Sequence, residues 1–401
     1  MPLHGTPLRY LATLALLGLV LGTGMGQGRQ LPSKPPLQPR PSPIPALDTE
    51  PLAGDSRPRW KERWSRMLPR PLALSLSPDG QVALLDSLHQ VQLLTPHNGM
   101  RLWSSQPLLL ANTVVAVRGG RVLVGAVHNP QVKKAWLLNA RTGQADAFEL
   151  PGTLWSIAAT PDGSRAFFGT GANLILATSL LTSQPPVTWK LSALPETLAL
   201  STDGSSAVLG TWLPAGVRRL GGWAYGDPNP ARWQEVQVSA DGATAISLSG
   251  HGARRSEQDL QLAGYDMESG MRLWEKRIPG TRARAQVSAD GQRVALTYLS
   301  TTQRGGEAHL VLLNRDGSPR GDEKGGRFFS PQLAALSAQG ERVTVLDGDR
   351  ALFVLDGDGK TRWRLALENH APIEKVLTSP DGAFLLLVRT DGTITLYEAL
   401  P

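Results

Sequence analysis

Ser77-Pro78-Asp79-Gly80 decides the reading of this chain because it recurs. It returns as Thr160-Pro161-Asp162-Gly163, Ser201-Thr202-Asp203-Gly204, Ser239-Ala240-Asp241-Gly242, Ser288-Ala289-Asp290-Gly291, Ser337-Ala338-Gln339-Gly340 and Ser379-Pro380-Asp381-Gly382. An eroded eighth copy, Val117-Arg118-Gly119-Gly120, is identified by its matching flanks. The closing glycines fall at 80, 120, 163, 204, 242, 291, 340 and 382, a period of 38 to 49 residues that suits propeller blades. The chemistry is that of a turn between strands. Pro presets φ at the second position, Asp tolerates the third, and Gly takes the left-handed conformation that follows.

Short β-rich runs flank each turn, such as Leu72 to Ser77 before Gln81 to Leu85, or Ala285 to Ser288 before Arg293 to Tyr298. A second pair of runs follows in most copies, turning at Gly and ending in Trp: HNGMRLW (97–103), MESGMRLW (267–274) and DGDGKTRW (356–363). Each unit therefore holds four strands. The last unit supplies only three, since the chain ends soon after Thr393 to Leu400. The segment Arg59 to Arg66, with Trp60 and Trp64, resembles the missing fourth. The expectation is an all-β, eight-bladed β-propeller of four-stranded antiparallel blades over residues 58–401, closed by an N-terminal strand that removes an exposed sheet edge.

The Gly-to-Trp strands resemble quinoprotein-like (PQQ-like) propeller repeats, and the Ser-Pro-Asp-Gly turns resemble the WD-repeat-like family. The resemblance spans about residues 58–401. The Trp-Asp dipeptide of WD repeats is absent, and the quinoprotein Trp is eroded near Arg141 to Leu150 and Gly317 to Gly326. The resemblance implies a propeller, and by analogy either a cofactor-dependent dehydrogenase or a non-catalytic envelope scaffold. A catalytic quinoprotein needs acidic and amide calcium ligands, and many carry a vicinal disulfide. The chain has no cysteine, and no ligand set matches residue by residue. No cofactor is expected.

The formal charge of +7 is concentrated at one end. Residues 1–70 carry ten Lys/Arg against four Asp/Glu, which leaves 31 against 30 for the rest. A nearly neutral body is a poor nucleic-acid partner. His4 and Arg9, the apolar run Tyr10 to Leu21 and the small residues Gly22 to Gly26 follow the order of a secretory signal. Residues 1–28 thus read as a cleaved signal peptide or a membrane anchor, with residues 10–25 as the possible tether. Residues 29–57 read as an extended Pro-rich linker, with eight prolines between 31 and 51. Export to the periplasm, cell envelope or exterior is the expected localisation.

No constellation points firmly to catalysis or metal binding. Asp347-Gly348-Asp349 and Asp356-Gly357-Asp358-Gly359 read as hairpin turns, because Lys360 stands where a calcium loop needs an oxygen ligand. Arg320-Gly321-Asp322 reads as a chance match to an integrin-binding tripeptide. The seven histidines, at 4, 89, 97, 128, 251, 309 and 370, show no i,i+4 pair; His89, His128, His251 and His370 fall in or near interstrand loops. Trp103, Trp274 and Trp363 share a repeat position and read as packing between blades, which Trp212 and Trp223 do not share.

Successive turns of a meander alternate between the two ends of the sheet. The Ser-Pro-Asp-Gly turns and the Gly-to-Trp turns therefore share one face, and long loops collect on the other. The two longest repeats place their extra residues at Gly250 to Gln258 and Ser300 to Ala308. Those loops carry Arg254, Arg255 and Arg304, and the connection Pro279 to Arg284 adds Arg282 and Arg284. Five arginines against Glu257, Asp259 and Glu307 make a candidate site for a protein or an anionic envelope ligand. The expected function is a monomeric, non-enzymatic, exported interaction scaffold. The alternative is a propeller enzyme using the central channel, either a lactonase-like hydrolase or a quinone-dependent dehydrogenase.

Overall fold

The computed structural model describes residues 60–401 apart from 183–184, 213–215, 223, 227–232, 251–259, 303–304, 321–323, 329–330, 338, 348–350, 368–370, 380–381 and 401. The presumed signal and linker lie outside the described residues.

Among the described residues, thirty-two strands form eight four-stranded antiparallel sheets. Seven sheets are simple meanders in chain order. In the eighth, the strand Trp60–Met67 pairs with the last strand, Thr393–Ala399, outside Phe384–Arg389 and Ile373–Thr378. The expected closure by the N-terminal strand is therefore present, with Trp60 opposite Ala399 and Met67 opposite Thr393. Blade eight packs on blade one in a shared core of Trp64, Leu74, Leu76, Leu84, Leu386 and Leu396.

The first strand of each blade lies innermost. In chain order these strands are Ala73–Leu76, Thr113–Ala116, Leu154–Ala159, Leu194–Leu200, Trp233–Val238, Gly280–Val287, Pro331–Leu336 and Ile373–Thr378. Side chains stitch neighbouring inner strands together. Ser75 Oγ accepts the Ala116 N–H at 2.9 Å, Ser156 Oγ donates to the Pro195 carbonyl at 3.0 Å, and the Gln237 amide donates to the Ala285 carbonyl at 2.8 Å.

The repeated tetrapeptide explains itself in this frame. Its first hydroxyl is buried and accepts the N–H that opens the second strand, as at Ser201 from Ser206, Ser239 from Thr244 and Ser288 from Arg293, each at 3.0 Å. The same hydroxyl donates to the turn aspartate, at 2.7 Å from Ser201 to Asp203. The eroded copy still turns. Gly119 and Gly120 both have φ of 78°, and the Arg118 N–H reaches the Pro161 carbonyl of the next blade at 3.0 Å.

Three outer tryptophans each bind a blade to the next. Trp103 donates its indole N–H to the Ala140 carbonyl at 2.8 Å, and Trp274 donates to the Arg315 carbonyl at 2.7 Å. A Cβ added at Gly143 would lie 2.6 Å from the Trp103 ring, and one at Gly317 would lie 2.5 Å from Trp274. Trp64 makes the same contact, its ring 2.7 Å from a Cβ built at Gly99 of blade one. The closing strand thus completes the tryptophan pattern as well as the sheet.

Two sequence expectations change. Pro279 to Arg284 is not a connection: strands end at Ile278 and restart at Gly280, so Arg282 and Arg284 belong to the inner strand of blade six. Ser300 to Ala308 is not a loop either. Strands Arg293–Thr302 and Gly305–Asn314 pair out to Thr302 opposite Gly305, so the added length extends a hairpin. The cause is continuous pairing: once both strands can keep bonding, extending the ladder satisfies backbone groups that a loop would leave to solvent.

Candidate functional site

The channel mouth on the long-loop face is shaped by bulges. In five inner strands the register shifts by one residue near the start: between Leu154 and Ser156, Pro195 and Thr197, Thr281 and Arg284, Leu333 and Ala335, and Ile373 and Lys375. A bulge leaves an extra residue unpaired and re-aims its side chain, commonly at rims and sites. Four of the bulges carry Trp155, Glu196, Arg282 and Glu374. The inner strands of blades one, two and five pair without a shift.

Of the five arginines expected to form a site, Arg282 and Arg284 are described, and both are exposed on this bulge. Arg282 sits at φ 54°, in the left-handed region that a long side chain rarely adopts. Neither guanidinium has an ion-pair or hydrogen-bond partner among the described residues. Arg254, Arg255 and Arg304 lie outside the described residues, so the structure brings two of the five together.

Sequence reading missed the charged company. Glu374 pairs with Arg70, and Lys375 follows it on the inner strand of blade eight. Lys375 is reached by solvent but surrounded by protein. Burial pushes its ammonium below the ordinary lysine value, and the Glu374 carboxylate opposes that shift. Glu196 and Glu235 stand on the inner strands of blades four and five. The signal was available: a charged residue four or five positions before the turn Ser marks Glu196, Glu235, Arg284, Glu374 and Lys375.

Blades one to three give the mouth a different character. Leu72, Leu88 and Leu109 are exposed there, at 54%, 67% and 68%. His89, at φ 58°, donates from Nδ1 to the Ala111 carbonyl at 2.8 Å and so has a structural task. His128, at φ 60°, packs against Trp155 with ring centroids 4.8 Å apart. Burial lowers the His128 pKa below its ordinary value, which leaves the imidazole neutral at pH 7. His309 stacks on Tyr298 at 4.7 Å within blade six, and His251 and His370 lie outside the described residues.

The acidic turns are engaged locally. Asp356 accepts the N–H groups of Asp358 at 3.0 Å and Lys360 at 2.8 Å, and its other oxygen holds Arg362 at 2.6 Å. Arg320 spends its fork on Glu341 at 3.0 and 3.1 Å. Among the described residues no three of His, Asp and Glu converge at metal-binding distance, and no helix is long and apolar enough to cross a membrane.

No family model matches the chain, and no curated protein matches it. Among solved structures it is similar to hydrazine synthase of Kuenenia stuttgartiensis, with a TM-score of 0.52 and 14% identity. That similarity covers 83% of this chain and 96% of the other. At such low identity the likeness concerns the propeller fold.

Proposed function

We propose that the chain is a non-enzymatic interaction scaffold of the cell envelope, exported by its N-terminal segment, which presents the long-loop face of its propeller to an anionic partner. The observation that carries this reading is the pair Arg282 and Arg284 on the bulged inner strand of blade six, neither of which has a partner among the described residues. The strand holds both cations at the channel mouth, where no carboxylate among the described residues neutralises them. Guanidinium forks match carboxylates and phosphates in bidentate fashion, so the partner is a protein or envelope ligand carrying such groups. The resemblance to quinoprotein-like and WD-repeat-like propellers supports a ring used for contacts.

The test is capture from envelope fractions at low and high salt by the wild type and by Arg282→Ala/Arg284→Ala, both shown to be folded. The expected result is a partner lost from the variant and weakened in the wild type as salt rises. Identical partner profiles for the two proteins would reject the reading. Sequencing the N-terminus of the mature protein tests export: a start near residue 28 supports it, and an intact Met1 in the soluble fraction of the cell opposes it.

A further inference from the structure

A depression of about 460 Å³ opens on the same face, away from the arginines, lined by Asn112, Val127, His128, Asn129, Pro130 and Gln131. The loop that forms it joins the second and third strands of blade two. Its shape is fixed from both sides. The Asn112 side chain clamps Val127 by accepting its N–H and donating to its carbonyl, both at 2.8 Å. The His128 N–H donates to the Leu154 carbonyl of blade three at 2.7 Å, and Asn129 Oδ1 accepts the Gln131 N–H at 3.0 Å. Trp155, in the neighbouring bulge, backs the His128 ring, and a Cβ at Gly171 would meet its indole at 2.9 Å. The platform is therefore held in place before anything binds.

Hydrogen-bonding capacity is left over. The two ring nitrogens of His128, the Asn129 amide nitrogen and the Gln131 side-chain amide have no partner among the described residues. Among the described residues no Asp, Glu, Lys or Arg lines the depression. An ionised ligand would find no counter-charge there, while a ligand rich in hydroxyls would find both donors and acceptors. The exposed His128 ring, backed by Trp155, adds an aromatic face against which the C–H groups on one face of a pyranose ring can pack. Concave, preformed and aromatic-backed, with a few placed polar groups, the site has the character of a small-ligand site.

We infer that the depression on blade two binds an uncharged carbohydrate, with His128, backed by Trp155, as the platform and Asn129 and Gln131 as hydroxyl ligands. This site is separate from the arginine patch and does not depend on it.

Saturation-transfer NMR on the full chain tests the inference, with maltotetraose, cellotetraose and chitotetraose as neutral probes and trigalacturonate as the acidic one. At least one neutral probe should receive saturation, strongest on one face of a pyranose ring. Its titrated affinity should weaken by roughly 3- to 10-fold in Gln131→Ala and in His128→Asn, the loss expected for a hydrogen bond or two. Asn tolerates the left-handed backbone at 128, and Gln131 is exposed, so both variants should fold. Arg282→Ala/Arg284→Ala should leave the affinity unchanged. Absence of saturation in every neutral probe overturns the inference. So does equal affinity in wild type and both variants, or a preference for trigalacturonate.

Discussion

At the scale of single residues, the repeat is a device for satisfying backbone groups at a buried turn. The hydroxyl at Ser239 is 1% exposed and accepts the Thr244 N–H. Ser239→Ala should cost about 1–3 kcal/mol, the penalty of an orphaned buried donor, read by denaturant unfolding. The aspartate adds a pH dependence. N–H and hydroxyl donors from Ser205 and Ser201 hold the Asp203 carboxyl below its ordinary value of 3.8. A lowered folded value means that this stabilisation is complete above pH 3.8 and is lost as pH falls through the folded value. Asp203→Asn should therefore flatten the acid side of a melting-temperature profile; an unchanged acid slope would remove Asp203 from the account. The tryptophans separate by their indole bonds. Trp103 and Trp274 each bond a carbonyl of the next blade, whereas the buried Trp64 indole N–H has no partner among the described residues. Trp103→Phe should cost about 1 kcal/mol more than Trp64→Phe in parallel unfolding measurements.

At the scale of elements, the closing strand carries most of the risk. Trp60–Met67 satisfies the outer edge of Thr393–Ala399 and buries Trp60 and Trp64 at 7% and 6% exposure. Its loss would open a sheet edge and strip the core shared by blades eight and one. Deleting residues 58–67 should lower stability by several kcal/mol, on the scale of removing two large buried aromatics. A deletion variant that melted with the wild type would show that closure contributes little. The inner strands behave differently, because their bulges trade a ladder bond for a side chain aimed at the mouth. Alternation alone does not reveal a bulge: one added residue flips the register beyond it, and the pattern then reads as noise.

At the scale of the whole molecule, the ring is indifferent to where the chain is cut, provided the eighth blade has all four strands. Trp60 lies opposite Ala399, so the two strands are neighbours that a short turn would join. A circular permutant starting at residue 68, with residues 58–67 placed after Pro401 through a few glycines, should fold and melt close to the wild type. Failure of that permutant to fold would mean that the N-terminal strand is needed early rather than only as a seal.

The sequence alone determined the architecture, because the same physical problem recurs eight times. Every blade turns at a left-handed glycine, seven of the eight place a hydroxyl three positions before it, and several carry an outer Trp, so the solutions leave letters at a recurring period of 38 to 49 residues. The missing fourth strand after Leu400 and the surplus one around Trp60 and Trp64 were legible for the same reason. The mouth was not legible in this way. Arg282 and Arg284 stood out as charge, but their place on an inner strand depended on where the ladder of blade six begins, which pairing with Leu299 and Thr297 decides. Trp155 and His128 lie in different blades and meet only because the ring sets the second-to-third-strand loop of blade two beside the inner strand of blade three. A site that occurs once, assembled from side chains of neighbouring blades, has no period to betray it, so only the tertiary structure decided it.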